Sequence, residues 1–154
     1  MTTDDGQSDS AGERISVYDA VGGSPFFFGM VNSFYDSVVS DPILRPLYPD
    51  DLTEARRHTA LFLVQFWGGP TTYNEERGHP RLRMRHFPFA IGQAERDAWL
   101  EAMMTAVDAT IDDPPAGSPL SHPSEGPAIQ VAVREMFRDY FEKSSTAMIN
   151  QPSA

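Results

Sequence analysis

Four histidines, His58, His79, His86 and His122, and the absence of cysteine bound the chemistry open to this chain. Without a thiol there is no disulfide, no thiolate nucleophile, no iron–sulfur cluster and no sulfur-ligated zinc, so any metal must be met by nitrogen or oxygen. The four imidazoles are not equivalent. His122 stands in a stretch rich in Pro, Ser and Gly, where a solvated surface role is expected. His79 lies between Gly78 and Pro80, in a turn. The Glu76 to His79 spacing imitates half of a carboxylate di-iron site, but the sequence offers neither the second copy nor the regular helix such a site needs.

His86 differs in its surroundings. Arg77, Arg81, Arg83 and Arg85 put four of the twelve basic residues just ahead of it, in a chain whose net charge is -10. Haem gives one physical reason for such a local inversion of charge, since two propionates call for cations while the iron takes one neutral imidazole. A solvated basic face beside an ordinary histidine has the same spacing. Three polar aromatics form a second group. Tyr35 follows Phe34 on an apolar stripe, Tyr48 ends an apolar proline-bounded turn, and Trp99 faces inward on its helix. Once buried, each must find a partner for its O–H or N–H. They read either as core aromatics donating to nearby carbonyls or as donors gathered around a ligand.

Helices must position these groups. Ser24-Pro25 is a start signal, a capping side chain before a residue whose fixed φ suits the first turn. Phe27, Met30, Val31, Phe34, Tyr35 and Val38 then recur at helical spacing as far as Asp41-Pro42. A proline-bounded piece carries Ile43, Leu44, Leu47 and Tyr48. Thr53 offers the cap of a helix with Ala55, Thr59, Phe62, Leu63 and Phe66 inward, ended by Gly68-Gly69-Pro70. Residues 71–80 read as a loop with at most one helical turn, and 81–86 as a short helix that Pro88 stops. Gln93 opens a long helix with Trp99, Leu100, Met103, Met104, Val107 and Ile111 on its apolar side. A Pro-rich surface linker is expected over 112–127, followed by a helix carrying Ile129, Val133, Met136, Phe137, Tyr140 and Phe141. No strand pattern or repeat is visible. The class is all-α, with three long helices and two or three short ones.

At 154 residues and 40% hydrophobic content the chain has room for one domain and one core, expected over 16–150. Its acidity argues against non-specific nucleic-acid binding and against an anionic membrane surface. Residues 1–15 read as a disordered acidic leader, unlike a signal or transit peptide, and no run approaches a membrane span of roughly 20 apolar residues. A cytoplasmic location is the corresponding expectation.

The run Gly78-His79-Pro80-Arg81-Leu82-Arg83-Met84-Arg85-His86, with Trp67-Gly68-Gly69-Pro70 upstream, resembles group II truncated haemoglobins of actinobacteria. The resemblance extends from Tyr18 to Ile111 through Tyr18-Asp19-Ala20-Val21-Gly22-Gly23, Phe34-Tyr35, Leu47-Tyr48-Pro49 and Glu95-Arg96-Asp97-Ala98-Trp99-Leu100. It implies a truncated globin fold, a two-over-two helical sandwich around haem b. By the same resemblance His86 is the proximal ligand of a five-coordinate iron, and Tyr35, Tyr48 and Trp99 are the donors of the distal pocket. Phe34, Ala55 and Thr59 are expected to line that pocket, Arg83 and Arg85 to meet the propionates, and His58 to point toward solvent or a propionate rather than the iron.

Binding of dioxygen, nitric oxide, carbon monoxide or peroxide is the function implied. An enzymatic alternative is nitric oxide dioxygenation or peroxide reduction at the same iron, which needs a separate reductase because the chain has no flavin or nicotinamide motif. A third reading is a haem-free helical module that uses an empty globin shell for protein contacts. Association into a homodimer is a further expectation of the resemblance.

Overall fold

The computed structural model describes residues 15–152, so the leader expected over 1–15 lies, apart from Ile15, outside the described residues. Among these residues there are seven α-helices, two short 3-10 turns and no strand. In chain order the helices are α1 (Val17–Ala20), α2 (Ser24–Ser40), α3 (Thr53–Phe66), α4 (Thr72–Arg77), α5 (Leu82–His86), α6 (Gln93–Asp112) and α7 (Gly126–Ala147). Four of them are long, one more than the sequence count, because α3 at 14 residues joins α2, α6 and α7. Two pairs, α2 with α3 and α6 with α7, meet through the contact of α2 on α6.

Apolar periodicity explains the pairing. On α2, Phe27, Met30, Val31, Phe34 and Val38 are all buried, as their spacing predicts. On α7, Val133, Phe137, Phe141 and Ser145 recur every four residues and are buried. Phe26 stacks on Phe137 with ring centroids 5.9 Å apart, and Phe137 on Phe141 at 6.1 Å. The rings therefore join the first and last long helices. Met136, expected on this face, is 46% exposed, and Phe66 on α3 is 49% exposed. Both lie one position off the stripe that reaches the core; Phe66 instead packs on Tyr140 with centroids 4.3 Å apart.

Several boundaries follow a chemistry other than the one the sequence suggests. Gly23, at φ 92, occupies the cap position of α2, and Ser24 is the first helical residue, its hydroxyl hydrogen-bonded to that of Tyr18 at 3.0 Å. Leu52 precedes α3, and Asp51 accepts from the Thr53 N–H at 3.0 Å. Gly69 permits a close approach that no side chain could allow: a Cβ there would come within 2.6 Å of the Tyr18 ring. That contact lets α1 dock on the end of α3, where the Tyr18 N–H donates to the Trp67 carbonyl at 3.0 Å.

Two stretches expected to be irregular carry structure. Residues 71–80 contain the six-residue α4, whose Tyr73 is buried against Phe62. The Pro-rich stretch is docked rather than free. Leu120, in a 3-10 turn over Pro119–Ser121, is 1% exposed, and Ser118 donates to the Val21 carbonyl at 2.8 Å. One apolar side chain and one hydroxyl suffice to hold a segment whose composition signals a surface loop.

Candidate functional site

Between α2, α3, α6 and the end of α7 lies a cavity of about 420 Å³, within the size range of small-molecule and cofactor sites, roughly 300–1,000 Å³. Phe34, Tyr35, Tyr48, Ala55, Thr59 and Trp99 line one wall, and Leu82, Arg85, His86 and Phe89 another. The residues expected on the distal side and the histidine expected on the proximal side thus line one cavity.

The distal wall is an aromatic cluster. Tyr35 meets Phe34 edge-on with centroids 4.9 Å apart and Tyr48 edge-on at 5.4 Å, while Trp99 lies against Phe34 at 5.5 Å. The Tyr35 hydroxyl is hydrogen-bonded to that of Thr59 at 2.9 Å, so this phenol has a protein partner that the sequence did not reveal. Burial pushes the Tyr35 hydroxyl up from its ordinary pKa, with the Thr59 bond and the nearby Arg56 charge offsetting part of the effect. Burial also raises Tyr48, its neighbour Tyr35 adds to the rise, and the Trp99 indole beside it opposes. Both phenols therefore keep their protons at neutral pH and face the cavity as potential donors.

The proximal wall is built from a turn and a short helix. Gly78, at φ 76, and Arg81, at φ 45, reverse the chain so that α5 runs along the cavity. Arg81 is the one non-glycine residue with positive φ among those described. Its N–H donates to the His79 imidazole at 3.1 Å, which ties the turn. On α5, the His86 Nδ1–H donates to the Leu82 carbonyl at 2.6 Å. That bond selects the tautomer with an unprotonated Nε2, which has no protein partner among the described residues, the form a metal requires.

His58 also lines the cavity, but both its nitrogens are engaged. Its Nδ1 accepts from Arg77 at 2.6 Å and its Nε2 faces Glu54 at 3.3 Å. No group of three or more His, Cys, Asp or Glu that could hold a metal ion occurs among the described residues. An ion on His86 must bring its other ligands with it, as a porphyrin iron does.

The arginines complete the fit. Among the described residues, every Arg and Lys outside the run pairs with a carboxylate, from Arg45 to Lys143. Arg77, Arg81, Arg83 and Arg85 pair with none, and two of them, Arg77 and Arg85, line the cavity. Arg85 is braced by the Pro80 carbonyl at 2.7 Å. Arg83 points elsewhere, into a shallow groove with Met84, Phe87 and the end of α7. Alternate residues of one helical turn diverge, so of the two arginines expected at the propionates Arg85 lines the cavity and Arg83 the neighbouring groove. Arg77, to which the sequence assigns no site role, also lines the cavity, a relation invisible in spacing.

Residues 16–122 match the family described as bacterial-like globin. The chain is 36% identical over 137 residues to the group 2 truncated hemoglobin YjbI of Bacillus subtilis, covering 89% of this chain and 90% of that protein. The chain belongs to the group II truncated haemoglobins. Among solved structures, the thermostable hemoglobin of the actinobacterium Thermobifida fusca is 41% identical with a TM-score of 0.76, covering 90% of this chain and 100% of that one. The group II truncated hemoglobin of Bacillus anthracis is 35% identical with a TM-score of 0.75, covering 92% and 96%. For this truncated haemoglobin, membership implies haem and a gaseous ligand, and the wall chemistry described above suits both. No helix among the described residues is long and apolar enough to cross a membrane.

Proposed function

We propose that this truncated haemoglobin holds haem b through His86 Nε2 and binds dioxygen and other diatomic ligands on the side facing Tyr35, Tyr48 and Trp99. Bound haem supplies a ferrous centre with one position open to a ligand. The protein supplies the rest. Leu82 orients the imidazole, and Arg77 and Arg85, which have no carboxylate partner among the described residues, offer cations to the acidic edge of the cofactor. Phe34, Ala55 and Thr59 give the distal side its shape, and the protonated phenols and the indole N–H supply hydrogen bonds where negative charge would gather.

The supporting observation is His86, whose Nε2 has no partner among the described residues, lining the same cavity as three polar aromatics. Spectra of the purified, haem-loaded protein test it. The ferrous form should be five-coordinate and should convert to a six-coordinate adduct with carbon monoxide. A ferrous form already six-coordinate without added ligand would contradict the reading. Nitric oxide dioxygenation or peroxide reduction would draw electrons from a separate reductase, and rapid nitrate formation when nitric oxide is added to the oxygenated protein would mark the first of these. Reversible oxygen release without turnover marks a carrier.

A further inference from the structure

The position of His86 has an unusual origin. A helix of five residues, α5, is far below the roughly 12 residues at which isolated helices become even marginal in water, and none of its residues is buried. The Leu82 bond fixes the imidazole relative to α5 but not α5 relative to the cavity. The chain after it packs weakly: Phe87 is 77% and Phe89 44% exposed. Something outside α5 must hold it.

The structure assigns this task to Asn150, just beyond the end of α7, and we infer that it is the positioning residue for His86. Its side-chain N–H donates to the Phe89 carbonyl at 2.7 Å and reaches the His86 carbonyl at 3.5 Å. Its Oδ1 accepts from the Ile91 N–H at 2.9 Å, and its own backbone N–H donates to the Ile91 carbonyl at 2.8 Å. Both backbone groups of Ile91 are thereby engaged by one residue, 59 positions along the chain. Ile91 is itself 8% exposed, and it lines the cavity together with Met148, two positions before Asn150. The clamp ties the stretch from His86 to Ile91 to α7, and α7 is fixed to the core by Phe137 and Phe141. The C-terminal end of the fold therefore sets where the proximal imidazole stands. The inference rests on the haem reading above.

Asn150→Ala and Asn150→Asp, compared with the parent protein, test it. Removing the side chain should speed hydrogen exchange at the Ile91 amide about tenfold, while the amides of α6 exchange as before. In the haem-loaded ferrous protein the iron–histidine stretching band should shift or broaden, and haem loss should quicken several-fold. Asn150→Asp keeps an acceptor for Ile91 but no donor for Phe89, so it should restore Ile91 protection without restoring the band. Unchanged Ile91 exchange in Asn150→Ala would overturn the clamp. Faster exchange with an unmoved iron–histidine band would overturn the positioning role. Failure of the haem reading is distinguishable, because it would show as a missing Soret band in the parent protein, whereas Ile91 exchange is read on the haem-free chain too.

Discussion

Tyr35 and Trp99 reach the cavity from helices of 17 and 20 residues with seven buried positions each, whereas His86 ends a helix of 5 residues with none. One wall is thus an extension of the core. Tyr35 and Trp99 are placed by the packing of α2 against α3 and α6. The other wall is held by a left-handed turn at Arg81, a carbonyl bond to His86 and the contacts of Asn150. Binding of a cofactor to His86 would stabilise that wall by mass action, so the proximal side gains most from what it binds.

The widest gap between the walls should appear in stability. Phe137→Ala removes a ring stacked between Phe26 and Phe141 and should cost about 3–5 kcal/mol. Phe87→Ala, at the exposed end of the proximal segment, should stay within about 0.5 kcal/mol. Thermal unfolding of the haem-free protein measures both, and similar losses would erase the distinction. A smaller effect is expected on ligand release. Trp99→Phe or Tyr48→Phe removes a donor to a charged acceptor, about 1.5–3 kcal/mol, and should speed oxygen dissociation roughly ten- to a hundredfold. Off-rates unchanged in both variants, followed by stopped flow, would take these groups out of ligand stabilisation.

The smallest effect is one of pH. Burial pushes the Tyr140 hydroxyl up to about 12 from its ordinary 10.0, with Ser144 opposing part of the rise. The folded chain then holds this proton more tightly than the unfolded chain does. Stability from this group is complete below pH 10 and falls as pH rises from 10 toward about 12. Tyr140→Phe should flatten the alkaline limb of the stability curve, measured by urea unfolding across that window. An unaltered limb would assign the alkaline loss to other groups, such as Tyr35 and Tyr48.

What the sequence revealed follows the same division. Long apolar stripes made α2, α6 and α7 legible, and with them Phe34, Tyr35 and Trp99, because 3.6-residue periodicity reports burial directly. The histidine at position 86 stood out through its run of arginines. Other parts depend on contacts between distant segments, which no local pattern encodes. Thr59 meets Tyr35 across 24 positions, and Asn150 meets Ile91 across 59. Arg77 lines the cavity although it precedes the turn at Gly78 and Arg81, and Arg83 lines a separate groove, relations that follow from the path of the chain rather than from spacing. Leu120 was hidden by its Pro- and Ser-rich neighbours, although a single buried leucine anchors that stretch.

Haem titration of the pure chain beside its His86→Ala variant, followed in the Soret region, probes the free imidazole nitrogen without intermediaries. The parent protein should retain equimolar haem and show a ferrous iron–histidine vibration, and the variant should retain little and lack that vibration. A variant that keeps its haem with the vibration intact would mean that another residue holds the iron, and that His86 does not.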